Sequence, residues 1–97
     1  MGESRYDFDW DAANTKKCQK HGVSIAEIES LFISMPIVYP NVKHPGAEAR
    51  YSAIGRNAVG RGLFVVFTFR ERDSMRIIRP ISARYMHQKE INYYESL

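Results

Sequence analysis

The stretch Gly62-Leu-Phe-Val-Val-Phe-Thr-Phe-Arg70 decides the reading of this chain. It holds no proline and no acid, and it is dominated by aromatic and β-branched residues, which suit a pleated, half-buried surface. Successive side chains of a strand point to opposite faces. Leu63, Val65, Phe67 and Phe69 therefore make one wholly apolar face. Phe64, Val66, Thr68 and Arg70 make a second face that turns polar at its end. Turn-forming segments bound the stretch, Asn57–Arg61 before it and Glu71–Ser74 after it. Beyond them two more strands are read, Ala47–Arg56 and Met75–Arg84. Connections this short join antiparallel neighbours, so the three strands form a meander. Pro80 has no N–H to give a ladder, which predicts a bulge there or an edge position for the last strand. The register past Pro80 stays open.

Helices flank this meander. Ser24 and Glu27 have the spacing of a capping box, and Ile25, Ile28, Leu31 and Phe32 follow at helical intervals. Pro36 disfavours a helical Met35. Upstream, Asp9 or Asp11 caps a helix that runs to about Lys20, with a thin inner stripe of Trp10, Ala13 and Cys18, and Gly22 ends it. Arg5–Trp10 alternates loosely and predicts a short first strand. Residues 37–47 contain Pro40, Asn41, Pro45 and Gly46, and read as a loop with at most an extended piece at Ile37–Tyr39. A last helix is expected over Met86–Tyr94. The order is strand, helix, helix, three strands, helix. That is α+β: a small antiparallel sheet in a single domain, 1–97, with helices mainly on one face and the other face left for a ligand.

Composition narrows the class. The chain has 97 residues, 44% of them hydrophobic and 12% aromatic, enough for one compact core and too apolar for a disordered segment. One cysteine, Cys18, excludes an internal disulfide and suits a reducing compartment. No apolar run approaches the ~20 residues of a membrane span. Residues 1–11 carry acids rather than the apolar core of a secretion signal. A cytoplasmic protein with no membrane partner is expected. Charge is distributed unevenly: residues 1–11 hold four acids and one base, whereas residues 56–89 hold eight bases and two acids. Seven of those eight bases are arginine, whose planar fork grips phosphate in bidentate fashion.

The candidates for chemistry follow from this. Cys18, His21, His44 and His87 contain no second pair with metal-ligand spacing, so no metal or other cofactor is expected. Gly60 and Gly62 flank Arg61 at a hairpin tip and do not make a phosphate loop. Glu48, Arg50 and Ser52 share one face of their strand, Thr68 and Arg70 the less apolar face of the next, and Ser82 and Arg84 close the third. Arginines ending neighbouring strands can converge on one patch that holds a phosphodiester and offsets charge developing during cleavage. Glu90 and Tyr94, one helical turn apart, can reach the same patch. His21, at a helix end, is a candidate general acid or base. Ion pairing across strands, helix capping and plain surface polarity are the competing readings of these residues.

The ordered set of motifs resembles a family. Phe8-Asp-Trp-Asp11 with Asn14, then Lys20-His-Gly-Val23, then Glu48-x-Arg50 with Gly55, is similar to the first half of BrnT-type toxins. Thr68-x-Arg70, Arg79-Pro-Ile-Ser-Ala-Arg84, Lys89-Glu90 and Tyr94 resemble its second half. The resemblance implies a RelE-like fold and an endoribonuclease of the mRNA-interferase kind. It implies the toxic half of a bacterial type II toxin–antitoxin pair. The implied partners are an RNA substrate and a BrnA-like ribbon-helix-helix antitoxin, with operator DNA bound only through that antitoxin. Cleavage without a metal would use the substrate's own 2′-OH. Arg50, Arg70 and Arg84 would stabilise charge, and Glu48, His21 or Glu90 would move protons. Thr68, Arg76, Ser82, Tyr94 and Lys20 are the expected RNA contacts. The rival function is a non-catalytic basic module that docks an acidic protein or nucleic acid.

Overall fold

The computed structural model describes residues 7–41 and 48–97. Along the chain they form helices α1 (Ala12–Gln19) and α2 (Ile25–Ile33), strands β1 (Ile37–Asn41), β2 (Arg50–Arg56), β3 (Gly62–Arg72) and β4 (Met75–Tyr85), and helix α3 (Gln88–Glu95). The four strands make one antiparallel sheet in the order β1-β2-β3-β4.

Both expected helix starts are built as capping boxes. Asp11 accepts from the Asn14 N–H at 3.0 Å while its own N–H donates to Asn14 Oδ1 at 2.7 Å. Ser24 Oγ accepts from the Glu27 N–H at 3.1 Å, and the Ser24 N–H donates to Glu27 Oε1 at 3.0 Å. Reciprocal bonds of this kind satisfy donors that a helix start leaves orphaned. Met35, ahead of Pro36, takes a φ of 60° and turns the chain from α2 into β1.

One face of the sheet carries the main core. Ala53 of β2, Leu63, Val65 and Phe67 of β3, and Ile78 and Ala83 of β4 pack with Cys18 of α1, Val23, and Ile28, Leu31 and Phe32 of α2. The other face is covered at one end by α3, where Ile91 joins Ile54 and Met86. A Cβ on Gly62 would lie 2.8 Å from Ile91 Cβ, so the close approach of α3 needs a glycine there. The rest of this second face, here called the open face, bears the polar side chains.

Two elements differ from the sequence reading. The strand expected at Arg5–Trp10 is, in its described part, a single parallel bridge between Phe8 and Ile78. The Asp9 N–H donates to the Ile78 carbonyl at 2.8 Å, and the Ile78 N–H to the Asp7 carbonyl at 2.9 Å. Asp9 and Asp11 then leave the sheet to pair with Arg79 and to cap α1. Arg5 and Tyr6 lie outside the described residues. The extended piece at Ile37–Tyr39 is a full strand that pairs along β2 from Ile37 opposite Ile54 to Asn41 opposite Arg50. As the outermost strand β1 can hold Pro40, because a missing N–H costs nothing on the side that faces away from the ladder. Residues 42–47, including the expected strand start at Ala47 and the loop residues Pro45 and Gly46, lie outside the described residues.

Pro80 produces both of its expected outcomes, since β4 is an edge strand and also bulged. Val66 is opposite Ser82 but Phe67 is opposite Pro80, so Ile81 is an extra residue in β4. Asn14 holds this point. Its side chain is buried, and its amide donates to the carbonyls of Asp9 at 2.9 Å and Pro80 at 2.8 Å. An Asn14→Ala variant loses the side-chain half of the capping box and leaves the buried Pro80 carbonyl without its Asn14 donor. It should be less stable by about 2–4 kcal/mol in urea titration. A loss under ~1 kcal/mol would mean that the bulge does not depend on this amide.

Glu27 ties the other end of the core together. Burial pushes its carboxyl up, but bonds from the Ser24 N–H, Asn57 Nδ2, Tyr85 Oη and Ser24 Oγ outweigh burial and hold it below the usual range. The stability this carboxylate adds is therefore complete above its unfolded value of roughly 4.3 and is lost as pH falls through its lower folded value. Glu27→Gln should unfold more easily at neutral pH, and its stability curve should converge on wild type in acid. Parallel curves from pH 7 to pH 3 would contradict this.

Candidate functional site

The site grows from the bulge. A one-residue insertion reverses which side chains of a strand face which way. On the Tyr85 side of the bulge, Ser82 and Arg84 stand opposite Val66 and Phe64 on the open face. Past the bulge Arg79 stands opposite Thr68 and so joins the open face. Arg76 stands opposite Glu71 and falls on the core side, where its guanidinium lies 4.1 Å above the Phe69 ring.

The open face thus gathers a cationic cavity of about 220 Å³. Its walls come from Ala13, Asn14 and Lys17 of α1, from Glu48 and from Arg50 of β2, from Arg70 of β3, and from Arg79 and Ile81 of β4. Four cations face one carboxylate. Glu48 forms an ion pair with Arg70, 3.2 Å from its Nε. Arg79 is mostly buried and points back to Asp9 at 3.2 Å and Asp11 at 3.0 Å. The Asn14 N–H, burial and the Arg79 guanidinium all act on the Asp11 carboxyl, and the net effect holds it below the usual range. Lys17 and Arg50 have no carboxylate partner among the described residues. Surplus positive charge in a concave, half-shielded place attracts an anion of phosphate size.

Beside this cavity lies a groove of about 600 Å³, lined by Tyr39, Pro40 and Asn41 of β1, Ser52, Ile54, Phe64 and Arg84 of the sheet, and Tyr93, Tyr94 and Leu97. Arg84 sits 4.6 Å above the Phe64 ring and binds Glu90 through two bonds, at 3.0 and 2.8 Å. The Arg84 guanidinium holds the Glu90 carboxyl below the usual range, so Glu90 stays an anion tied to its partner.

Of the residues read from the sequence, Glu48, Arg50 and Arg70 come together as expected. Arg84, Glu90, Ser82 and Tyr94 lie farther along the same face, two pleat repeats from Arg79 in the case of Arg84. Thr68 is buried, and its hydroxyl donates to the Ala49 carbonyl at 2.6 Å, which fixes the start of β2. His21 and Lys20 are exposed beside Gly22 at the end of α1, and neither borders the cavity or the groove. Arg76 is on the opposite face. The sequence reading missed Lys17 and Arg79. Arg79 was legible in principle, because a bulge at Pro80 exchanges the faces of Arg76 and Arg79. Lys17 follows only once Asn14 has docked α1 against β4. His44 lies outside the described residues, and His87 is exposed at the start of α3. Among the described residues no three His, Cys, Asp or Glu side chains gather where they could hold a metal ion. Among the described residues no helix is long and apolar enough to cross a membrane.

The fold is a small α+β domain with a cationic cavity set into the open face of its sheet. The family model described as "Ribonuclease toxin, BrnT, of type II toxin-antitoxin system" matches residues 10–90, and the chain belongs to that family. A ribonuclease toxin of a type II pair has an antitoxin as its partner. A search of curated proteins gives no match to the chain.

Cys18 is fully buried beside the cavity. Burial pushes its thiol up to about 11, against the nearby charges of Lys17 and Arg79. A thiol protonated at neutral pH is a poor nucleophile. Native protein at pH 8 should stay unlabelled by iodoacetamide in the time that urea-unfolded protein is fully alkylated. Rapid labelling of the folded protein would show that the core opens at α1.

Proposed function

We propose that this ribonuclease toxin is an endoribonuclease that cuts RNA through the substrate's own 2′-OH, without a metal ion, at the cavity of Lys17, Arg50, Arg70 and Arg79. The observation that carries the reading is one carboxylate, Glu48, standing among four cations in a cavity sized for a phosphate. Glu48 takes the 2′-OH proton, and the 2′-oxygen attacks the adjacent phosphorus. The bond from phosphorus to the 5′-oxygen breaks as that oxygen takes a proton from the Lys17 ammonium. Arg50, Arg70 and Arg79 stabilise the negative charge that builds on the phosphorane. The products are a 2′,3′-cyclic phosphate and a 5′-hydroxyl. Neither Glu90 nor His21 borders the cavity that Glu48 lines, which favours Glu48 as the base. Tyr94, Ser82 and Arg84 then act on the RNA along the same face.

The antitoxin, on this reading, is a BrnA-like ribbon-helix-helix protein that masks the basic surface in a cytoplasmic complex and supplies all of the operator binding.

The test is a short end-labelled RNA with purified protein. EDTA should leave the rate unchanged, and a single 2′-methoxy nucleotide at the cut site should stop cleavage while binding persists. Glu48→Gln should lower the rate about 10²–10⁴-fold, as loss of a general base does, with RNA affinity kept. His21→Gln should cleave like wild type. Fragments with a 5′-phosphate, or activity abolished by chelation and restored by Mg²⁺, would overturn the mechanism. Binding without cleavage by a folded wild-type protein would favour the docking module instead.

A further inference from the structure

We propose that the groove between β1 and α3 is a nucleobase subsite, which holds by stacking one base next to the cut phosphodiester and so restricts the enzyme to unpaired RNA. The proposal rests on the RNA-cleaving reading of the neighbouring cavity, and it assigns the groove a ligand of its own.

The two concavities share a border. Asn41, which lines the groove, is paired across the ladder with Arg50, which lines the cavity. Ser52, in the groove, stands on the same face as Arg50, one pleat repeat or about 7 Å along the strand. A phosphate gripped at Arg50 therefore has its own nucleoside, or the next one, within reach of the groove.

The walls have the chemistry of a base site rather than of an apolar peptide site. Tyr39 and Tyr94 meet with ring centroids 5.8 Å apart at 47°, and Tyr93 packs edge-on against Tyr94 at 5.4 Å. Tyr93 remains 61% exposed. Such tilted rings leave flat aromatic surface open to a third ring. The Arg84 guanidinium, 4.6 Å above the Phe64 ring and clamped by Glu90, adds a planar cationic group to the wall. Aromatic rings and arginine planes are the surfaces on which proteins stack splayed-out RNA bases, and every base has a face to offer them. A base inside a duplex has both faces covered and cannot enter. Three tyrosine hydroxyls and the Ser52–Asn41 pair, bonded at 3.2 Å, put polar groups where a base edge would end.

The experiment uses wild-type protein and two sets of oligoribonucleotides. In the first set an abasic site is moved one position at a time along a cleavable RNA. One position beside the cut should lower kcat/KM about 5- to 150-fold, the loss expected from one stacked base, while distant positions should change little. In Tyr94→Leu that position should lose most of its effect, and in Tyr94→Phe, which keeps the ring, the effect should return. In the second set an uncleavable 2′-methoxy strand carries 2-aminopurine at the same position. Binding should quench its fluorescence, and Tyr39→Leu and Tyr94→Leu should bind with the fluorescence restored. A flat abasic profile with cleavage intact, or binding without quenching at any position, would overturn the subsite. Quenching that depends on Tyr94 in a protein that cuts no RNA would sustain the groove and overturn the ribonuclease mechanism alone. Equal cleavage of the target sequence in duplex and single strand would count against the stacking reading.

Discussion

The amide of Asn14 donates to the carbonyl of Pro80 at the point where β4 carries one residue more than β3. This contact joins three things that are otherwise independent: the start of α1, the departing N-terminal segment at Asp9, and the bulge. Pro80 brings no N–H to the ladder, and a bulge frees a carbonyl, so the position needs an outside donor if it is to be buried. Asn14 supplies it while its other amide proton and its oxygen serve Asp9 and the helix cap. With the amide satisfied on all sides, α1 has one way to lie along the edge of the sheet. The position of Lys17 and the facing of Arg79 both follow from that placement.

Charge in the cavity is set by which cations find partners elsewhere. Arg79 is drawn toward Asp9 and Asp11, and Arg70 toward Glu48. The exposed Arg70–Glu48 pair adds little stability and chiefly fixes where the Arg70 guanidinium points, whereas the Arg79 pairs are the more shielded ones. Lys17 and Arg50 line the same cavity with no carboxylate partner among the described residues. Gathering like charges in one hollow works against folding, and a ligand anion relieves it. The apolar core on the opposite face, with Val65, Leu63, Ile28 and Leu31 almost fully buried, supports such a site without taking part in it.

Much of this was legible in the sequence, and the gaps have physical causes. The alternation in 62–70 located the central strand, the Ser24–Glu27 capping box located α2, and an aspartate cap located α1, because these signals are local and their bonds form within a few residues. The β1 strand was harder to read, since a proline at an edge looks like a proline in a loop until its partner strand is known. The segment before α1 alternates as a strand does, yet its carboxylates are worth more to Arg79 and to the helix start than to a ladder. At the site, the convergence of Arg50, Arg70 and Glu48 followed from strand parity. Which of Arg76 and Arg79 shares that face depends on the register past Pro80, which the sequence left open and the bulge decides. One residue of register separates those two readings, and local pattern does not contain it.

The outer side of β1 remains to be considered as a surface for self-association. β1 is the terminal strand of the sheet, and Ile33, Met35, Ile37 and Val38 are all exposed on or beside it. An edge with apolar side chains and open backbone groups is a template on which a further strand can grow, and many such proteins guard it with lysines. Here the described part of the strand carries no charge at all, and its one guard is Pro40, which breaks the row of donors after three residues. Among the described residues, the stretch of β1 ahead of Pro40 is where a further strand could pair.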